Sequence, residues 1–165
     1  MWNLLWRLRL FILKKERELR QKKAKQVHVE AYHLNRVWER IKAQKGRSIV
    51  WYIMTPANYG YIKNFIGTNL SKEELDEILS ERARWLLQNG YQLELHIHFW
   101  LFKRMPADKK RELIRESINW GQKNDIEFTS LVPGWWSYDK DLAKICQEFN
   151  LNLVNKEISI HDYDL

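Results

Sequence analysis

Hydrophobic positions follow two alternating patterns along this chain. Short apolar runs rich in β-branched residues, such as SIVWYIM at residues 48–54, are typical of strands buried on both faces. Longer stretches with apolar residues at helical spacing lie between them, and one begins with a Ser71-x-x-Glu74 capping box. The patterns predict strands over 25–32, 48–54, 91–99, 125–132, 151–154 and 157–161, helices over 33–45, 71–88, 106–123 and 138–149, and a long loop over 55–69.

Alternation of strands and helices is typical of βαβ units. It predicts an α/β fold with a parallel sheet of about five strands and flanking helices. The single cysteine, Cys146, excludes an internal disulfide and so a disulfide-stapled secreted module.

The chain's net charge of +7 lies in its first 26 residues, which hold nine basic and two acidic side chains, so that residues 27–165 are neutral. We therefore divide the chain into a basic amphipathic N-terminal helix (1–26) and an α/β domain (27–165). Tryptophans and leucines followed by lysines suit a helix on an anionic membrane surface. Its expected contacts are Trp2, Trp6, Phe11, Lys14 and Lys15.

Two alternatives for this segment stay open: packing on the domain or on a second copy in a homo-oligomer, and, least favoured, nucleic-acid binding. Its apolar run is shorter than the ~20 residues of a membrane span and contains two arginines. No small-residue cleavage site marks a signal peptide. We expect a cytoplasmic protein that associates peripherally with the membrane.

Histidines and acids gather at the predicted carboxyl ends of three strands, where parallel sheets place their active sites. Such donors suit zinc or another divalent metal, which lowers the pKa of bound water towards ~7. A carboxylate could act as general base and a histidine as general acid, although hydrogen-bonded core histidines are the alternative. The residues are His28 and Glu30 on the first strand, His96 and His98 on the third, and His161 with Asp162 on the last.

An aromatic turn follows the predicted fourth strand. Trp135 and Trp136 come after a Pro133-Gly134 turn and precede Tyr138. Exposed indoles at this edge suit stacking on sugar rings, whereas the alternative is that they fill the core or contact the N-terminal helix. We take Pro133, Trp135, Trp136 and Tyr138 as candidate substrate-binding residues.

These segments together resemble the polysaccharide deacetylase superfamily, whose members remove acetyl groups from sugars on a distorted (β/α) barrel. Residues 27–55, 81–100 and 128–151 look like its three sequence blocks, with Pro133 and Gly134 in register with the last. The resemblance spans nearly all of residues 27–165 and implies an open or truncated barrel, because the body is shorter than a complete family member.

The family's site residues correspond only in part. His96 falls on the first metal histidine and Glu30 on the catalytic-base aspartate, whereas Ala31 replaces the metal aspartate. Trp100 falls on the second metal histidine, with His98 nearby.

The leading hypothesis is a metal-dependent carbohydrate deacetylase-like hydrolase at a membrane surface. Glu30 would be its base, His161 its acid, and His96 and His98 metal ligands assisted by His28 or Asp162. The alternative is a non-catalytic domain that binds a glycan or a protein and oligomerises through its N-terminal helix.

Overall fold

The computed structural model describes residues 25–44, 49–99, 105–154 and 160–161. Residues 1–24 of the predicted N-terminal helix, with Trp2, Trp6, Phe11, Lys14 and Lys15, lie outside the described residues, as does Asp162, whereas Lys25 and Gln26, also predicted in that helix, begin the first strand. Everything stated below about the fold concerns the described part of the α/β domain.

Six parallel strands form one sheet in the order β5-β4-β3-β2-β1-β6. Each of the predicted strands is present, but most are shorter than the sequence pattern indicates. They are β1 (Lys25–Val29), β2 (Ile49–Ile53), β3 (Gln92–Ile97), β4 (Ser130–Pro133), β5 (Asn152–Leu153) and β6 (Ile160–His161).

Four regular helices connect the strands: α1 (Asn35–Ala43), α2 (Lys72–Gln88), α3 (Ala107–Lys123) and α4 (Lys140–Glu148). The predicted capping box of α2 is confirmed. The Ser71 hydroxyl accepts a hydrogen bond from the Glu74 amide, and the Glu74 carboxylate accepts one from the Ser71 amide. Two otherwise unpaired amides at the start of the helix are satisfied in this way.

Residues 55–69, which the sequence pattern predicts as a loop, are largely helical. A 3₁₀ turn (Pro56–Asn58) leads into a helical turn (Tyr59–Tyr61) and then a π-helical stretch (Ile62–Gly67), and we call Pro56–Gly67 the irregular helix. The helix ends at Gly67, whose φ of 85° suits glycine. It follows β2 directly, so it lies at the carboxyl edge of the sheet.

Strand β4 begins five residues later than predicted because a buried carboxylate binds the backbone that precedes it. Glu94, wholly buried on β3, accepts hydrogen bonds from the Thr129 and Ser130 amides at 2.9 and 2.7 Å and from the Thr129 hydroxyl. The segment also turns at Asp125, which has a φ of 59°. Regular pairing with β3 therefore starts at Leu131.

The helices cover one face of the sheet. The strand residues on that face, among them Val27, Trp51 and Leu95, pack with buried residues of all four helices. On the opposite face Val50, Tyr52 and Val132 form a separate cluster that contains no helix residue among those described. Because β1 to β5 follow one another in sequential order, crossovers of one hand place the connecting helices on the same face, as in an open (β/α) fold.

Because β6 returns to pair with β1, the order would become circular if β5 and β6 also paired; among the described residues they do not. The structure thus confirms the predicted α/β class and the open parallel sheet. Within the described part of the chain, no helix combines the length and the apolar character that a membrane crossing requires.

Candidate metal centre

Three of the predicted site residues converge at the carboxyl edge of the sheet. Glu30 directly follows β1, His96 lies near the end of β3, and His98 follows that strand. Strand β2 separates β1 from β3, so their backbones lie about 9.6 Å apart, and only side chains that project from the same face can meet. His96 and His98 share that face by the two-residue period of a strand.

The three ligand atoms are spaced as a tetrahedral ion would require. The distance from Glu30 Oε1 to His98 Nε2 is 3.0 Å, that between the two histidine Nε2 atoms is 3.1 Å, and that from Glu30 Oε1 to His96 Nε2 is 3.5 Å. Bonds of ~2.0–2.1 Å from zinc give a tetrahedron edge of about 3.3–3.4 Å. The cluster could therefore hold a metal ion through one carboxylate and two imidazoles.

A backbone carbonyl fixes the tautomer of His96. Its Nδ1 lies 3.0 Å from the carbonyl oxygen of Val132, which can only accept a hydrogen bond, so Nδ1 carries the hydrogen. In the neutral ring the lone pair is then on Nε2, the atom that faces Glu30 and His98. Metal-binding histidines in proteins are oriented in the same way, by donating their other ring N–H to a carbonyl or carboxylate.

The charge state of Glu30 suits a ligand. Burial raises the pKa of the Glu30 carboxyl group, but His96 and His98 in their protonated form donate hydrogen bonds to it and carry positive charge, and together these lower the pKa by more, to far below its ordinary value. The Glu30 carboxyl group is therefore ionised at neutral pH and can accept a cation without first losing a proton.

His98 is held from several directions. The side chain of Asn58 donates a hydrogen bond to its carbonyl oxygen at 2.8 Å, and the ring of Tyr61 stacks on its imidazole with a centroid distance of 3.8 Å. The backbone of Gly134 packs so closely on the imidazole that a Cβ atom at that position would overlap it. The glycine of the predicted Pro-Gly turn is thus needed for a close approach to a ligand residue.

Exposed aromatic rings border the cluster. The Phe65 ring stacks on Tyr61 at 5.2 Å, and Trp135 contacts His98, Tyr61 and Phe65 edge-on at 5.1, 5.7 and 5.9 Å. Trp135 and Phe65 are 52% and 42% exposed, and they are the exposed large hydrophobic residues of the described chain. Trp135 has a φ of 50°, which is unusual for a bulky residue and is typical of functional sites.

The other predicted metal and acid residues lie differently. The His28 ring stacks on His96 with a centroid distance of 4.9 Å and lies outside the set of three converging ligand atoms. His161 pairs with His28 in the β1–β6 ladder, which brings its backbone to the same edge of the sheet. Its side chain and the whole of Asp162 lie outside the described residues.

Of the predicted substrate-binding residues, the structure brings only some to the border of the cluster. Trp135 borders the cluster, whereas Pro133 is buried as the last residue of β4, in register with Ile97. The Tyr138 hydroxyl donates to the Val154 carbonyl, and burial raises its pKa to about 12. The backbone of Trp136 completes a 3₁₀ turn, and its side chain lies outside the described residues.

Sequence reasoning missed Asn58, Tyr61 and Phe65, because all three lie in the segment predicted as a loop. A signal was present nevertheless. The segment PANYGYIKNF follows the carboxyl end of a fully buried strand, the place where parallel sheets carry their binding residues, and it contains three aromatic residues.

Searches with the whole chain found no matching protein-family model and no similar curated protein. The resemblance to polysaccharide deacetylases therefore rests on the sequence blocks alone and stays a prediction. What the structure adds is independent of it: the residues Glu30, His96 and His98 form a three-residue cluster that could hold a metal ion.

Proposed function

We propose that this protein is a metal-dependent hydrolase of the carbohydrate deacetylase type, with its metal centre at Glu30, His96 and His98. The observation that carries the proposal is the spacing of the three ligand atoms, 3.0–3.5 Å, close to one face of a zinc tetrahedron. Three protein ligands leave a fourth position for water or substrate, as catalytic zinc sites do and structural ones do not.

The donor set favours zinc over harder ions. Two imidazole nitrogens and one carboxylate oxygen suit a borderline-soft divalent cation, whereas magnesium and calcium prefer oxygen ligands. A zinc-type ion supplies Lewis acidity, the chemistry by which hydrolases polarise carbonyl groups and activate water.

Glu30 takes a different role in this proposal from the one the sequence suggests. Its Oε1 atom faces both histidines, so the carboxylate acts as a ligand and not as the base. In deacetylation water adds to the acetyl carbon, the bond from that carbon to the sugar nitrogen or oxygen breaks, and acetate and the free amine or alcohol leave. His161 remains the candidate that protonates the leaving group.

Aromatic exposure supports a sugar as the substrate. Half-exposed indole and phenyl rings beside a polar centre suit the apolar face of a pyranose, and Trp135 and Phe65 have this exposure. The same observation favours the second candidate, a non-catalytic domain that binds a glycan or a protein. The proposed hydrolase would associate with a membrane surface through residues 1–26, whereas the binding domain would oligomerise through them.

Metal-dependent stability is the direct test of the centre. We expect zinc to raise the unfolding temperature of the wild type, because an ion that binds only the folded state stabilises it. His96→Ala should lose this increase. His33→Ala is the matched control, since His33 is a buried histidine outside the cluster and the increase should persist.

Activity and binding then separate the two candidates. Acetate release from a chito-oligosaccharide, dependent on zinc and lost in His96→Ala, supports the hydrolase. Binding of the same oligosaccharide without acetate release, equal in the presence of zinc or a chelator, supports the binding module. An unfolding temperature that zinc does not change, with no bound metal, contradicts the proposed centre.

A further inference from the structure

The side chain of Tyr61 contacts two of the three residues of the proposed metal centre. We infer that Tyr61 is a positioning residue that holds Glu30 and His98 in their ligand geometry. The inference rests on the proposed function, because it assigns Tyr61 a task only if the cluster binds metal. It concerns a residue of the irregular helix, which none of the sequence motifs include.

The contact with Tyr61 gives the two oxygens of the Glu30 carboxylate different partners. The tyrosine hydroxyl lies 3.3 Å from Glu30 Oε2 and donates to it, while Oε1 faces His98 at 3.0 Å and His96 at 3.5 Å. With Oε2 engaged by a hydrogen bond, the carboxylate offers a single oxygen to an ion. A position that a second carboxylate oxygen would fill thus stays open for water or substrate.

The same side chain orients His98. The Tyr61 ring lies nearly parallel to the imidazole, at 14°, with a centroid distance of 3.8 Å. The Trp135 ring meets that imidazole at 84°, and the Gly134 backbone packs against it. A ring packed in this way cannot turn its Nε2 away from Glu30 without displacing its neighbours.

The irregular helix keeps Tyr61 in place. Tyr61 is 4% exposed, at the residue where the backbone changes from α-helical to π-helical, a distortion that is frequent at functional sites. Hydrogen bonds tie this segment down on both sides: Asn58 donates to the His98 carbonyl, and Tyr59 donates to the Leu70 carbonyl at 2.9 Å.

The decisive variant is Tyr61→Phe, which keeps the stacked ring and removes only the hydroxyl. We expect it to bind zinc about 10–100-fold more weakly than the wild type in competition with a chromophoric chelator, the usual loss when a group behind a metal ligand is removed. Tyr59→Phe is the matched control. This variant removes a hydroxyl of the same segment that donates to the Leu70 carbonyl and not to a residue of the cluster. Its zinc affinity should therefore equal that of the wild type.

Cobalt substitution provides a readout that a purely structural role would not change. With Tyr61→Phe the freed carboxylate can bind through both oxygens, so the intensity of the visible Co²⁺ bands should fall as the coordination number rises. The Tyr59→Phe spectrum should match that of the wild type. Circular dichroism confirms that both variants are folded.

Each result decides the matter. Equal zinc affinity and equal Co²⁺ spectra for Tyr61→Phe and the wild type overturn the inference while leaving the proposed metal centre intact. Equal weakening in both tyrosine variants also overturns it, since the effect would then come from the segment as a whole. If the wild type itself binds neither ion, the proposed function fails and the inference fails with it.

Discussion

Replacement of Gly134 by alanine tests whether the packing around His98 is as close as the structure shows. A Cβ atom at Gly134 would lie well under 3.0 Å from three atoms of the imidazole, Nδ1, Cε1 and Cγ. Carbon atoms pack at about 3.5 Å or more, so the ring would have to retreat by roughly 1 Å. A ring displaced by that much would no longer keep its 3.0 Å hydrogen bond to Glu30.

Two costs follow from that movement. Overpacking a core site destabilises by about 1–3 kcal/mol, and a hydrogen bond to a charged group contributes about 1.5–3 kcal/mol. We expect Gly134→Ala to lower the free energy of unfolding by about 2.5–6 kcal/mol, the sum of these two costs, measured by urea denaturation. Zinc affinity should fall as well, because the displaced ring carries one of the ligand atoms.

A double-mutant cycle isolates the cause. Gly134 has no positive φ, so an alanine is conformationally acceptable there, and the three atoms nearest to the added Cβ all belong to the imidazole of His98. In a His98→Ala background the ring is gone, and Gly134→Ala should be neutral or stabilise by about 0.4–1 kcal/mol through the unfolded chain. A penalty of the same size in both backgrounds would refute the reasoning.

Three further predictions concern stability and reactivity. Ser71→Ala should lower the free energy of unfolding by about 1 kcal/mol through loss of the capping box, and Ser71→Asp, which can also accept from the Glu74 amide, should retain most of it in the same urea titration. Burial lowers the pKa of His33 from 6.5 to about 4. Between these two pH values the unfolded chain therefore binds a proton at His33, whereas the folded chain does not. His33 should therefore lower the free energy of unfolding by about 2 kcal/mol between pH 7 and pH 5. In urea denaturation at both pH values, the free energy of unfolding of His33→Gln should decrease by about 2 kcal/mol less than that of the wild type. Cys146 is 1% exposed and burial raises its pKa to about 12, so a thiol reagent at pH 8 should react only as fast as the chain unfolds, and rapid labelling of the folded protein would contradict this.

The fold was predictable because its signals are local and periodic. The run of buried residues at Ile49–Ile53 indicates a strand covered on both faces, and the capping box at Ser71 indicates where α2 begins. Both depend on neighbours in the chain. The late start of β4 depends instead on hydrogen bonds to Glu94, 35 residues away in sequence, which no local pattern contains.

The candidate site was predictable in part for the same reason. His96 and His98 share a strand face by simple alternation, and the parallel sheet brings Glu30 to the same edge. The irregular helix escaped prediction because its Pro and Gly residues favour a loop, while tertiary contacts of Tyr61 with Glu30 and His98 favour the helical form. Those contacts exist only once the sheet has formed.

The metal content of untagged protein tests the central claim most directly. Wild-type protein should carry close to one zinc ion per chain after zinc addition and gel filtration, and His96→Ala should carry almost none, because the remaining two ligands of the cluster bind too weakly. Elemental analysis measures both. A wild-type protein without stoichiometric zinc, or a His96→Ala variant that retains it, would contradict the proposed metal centre.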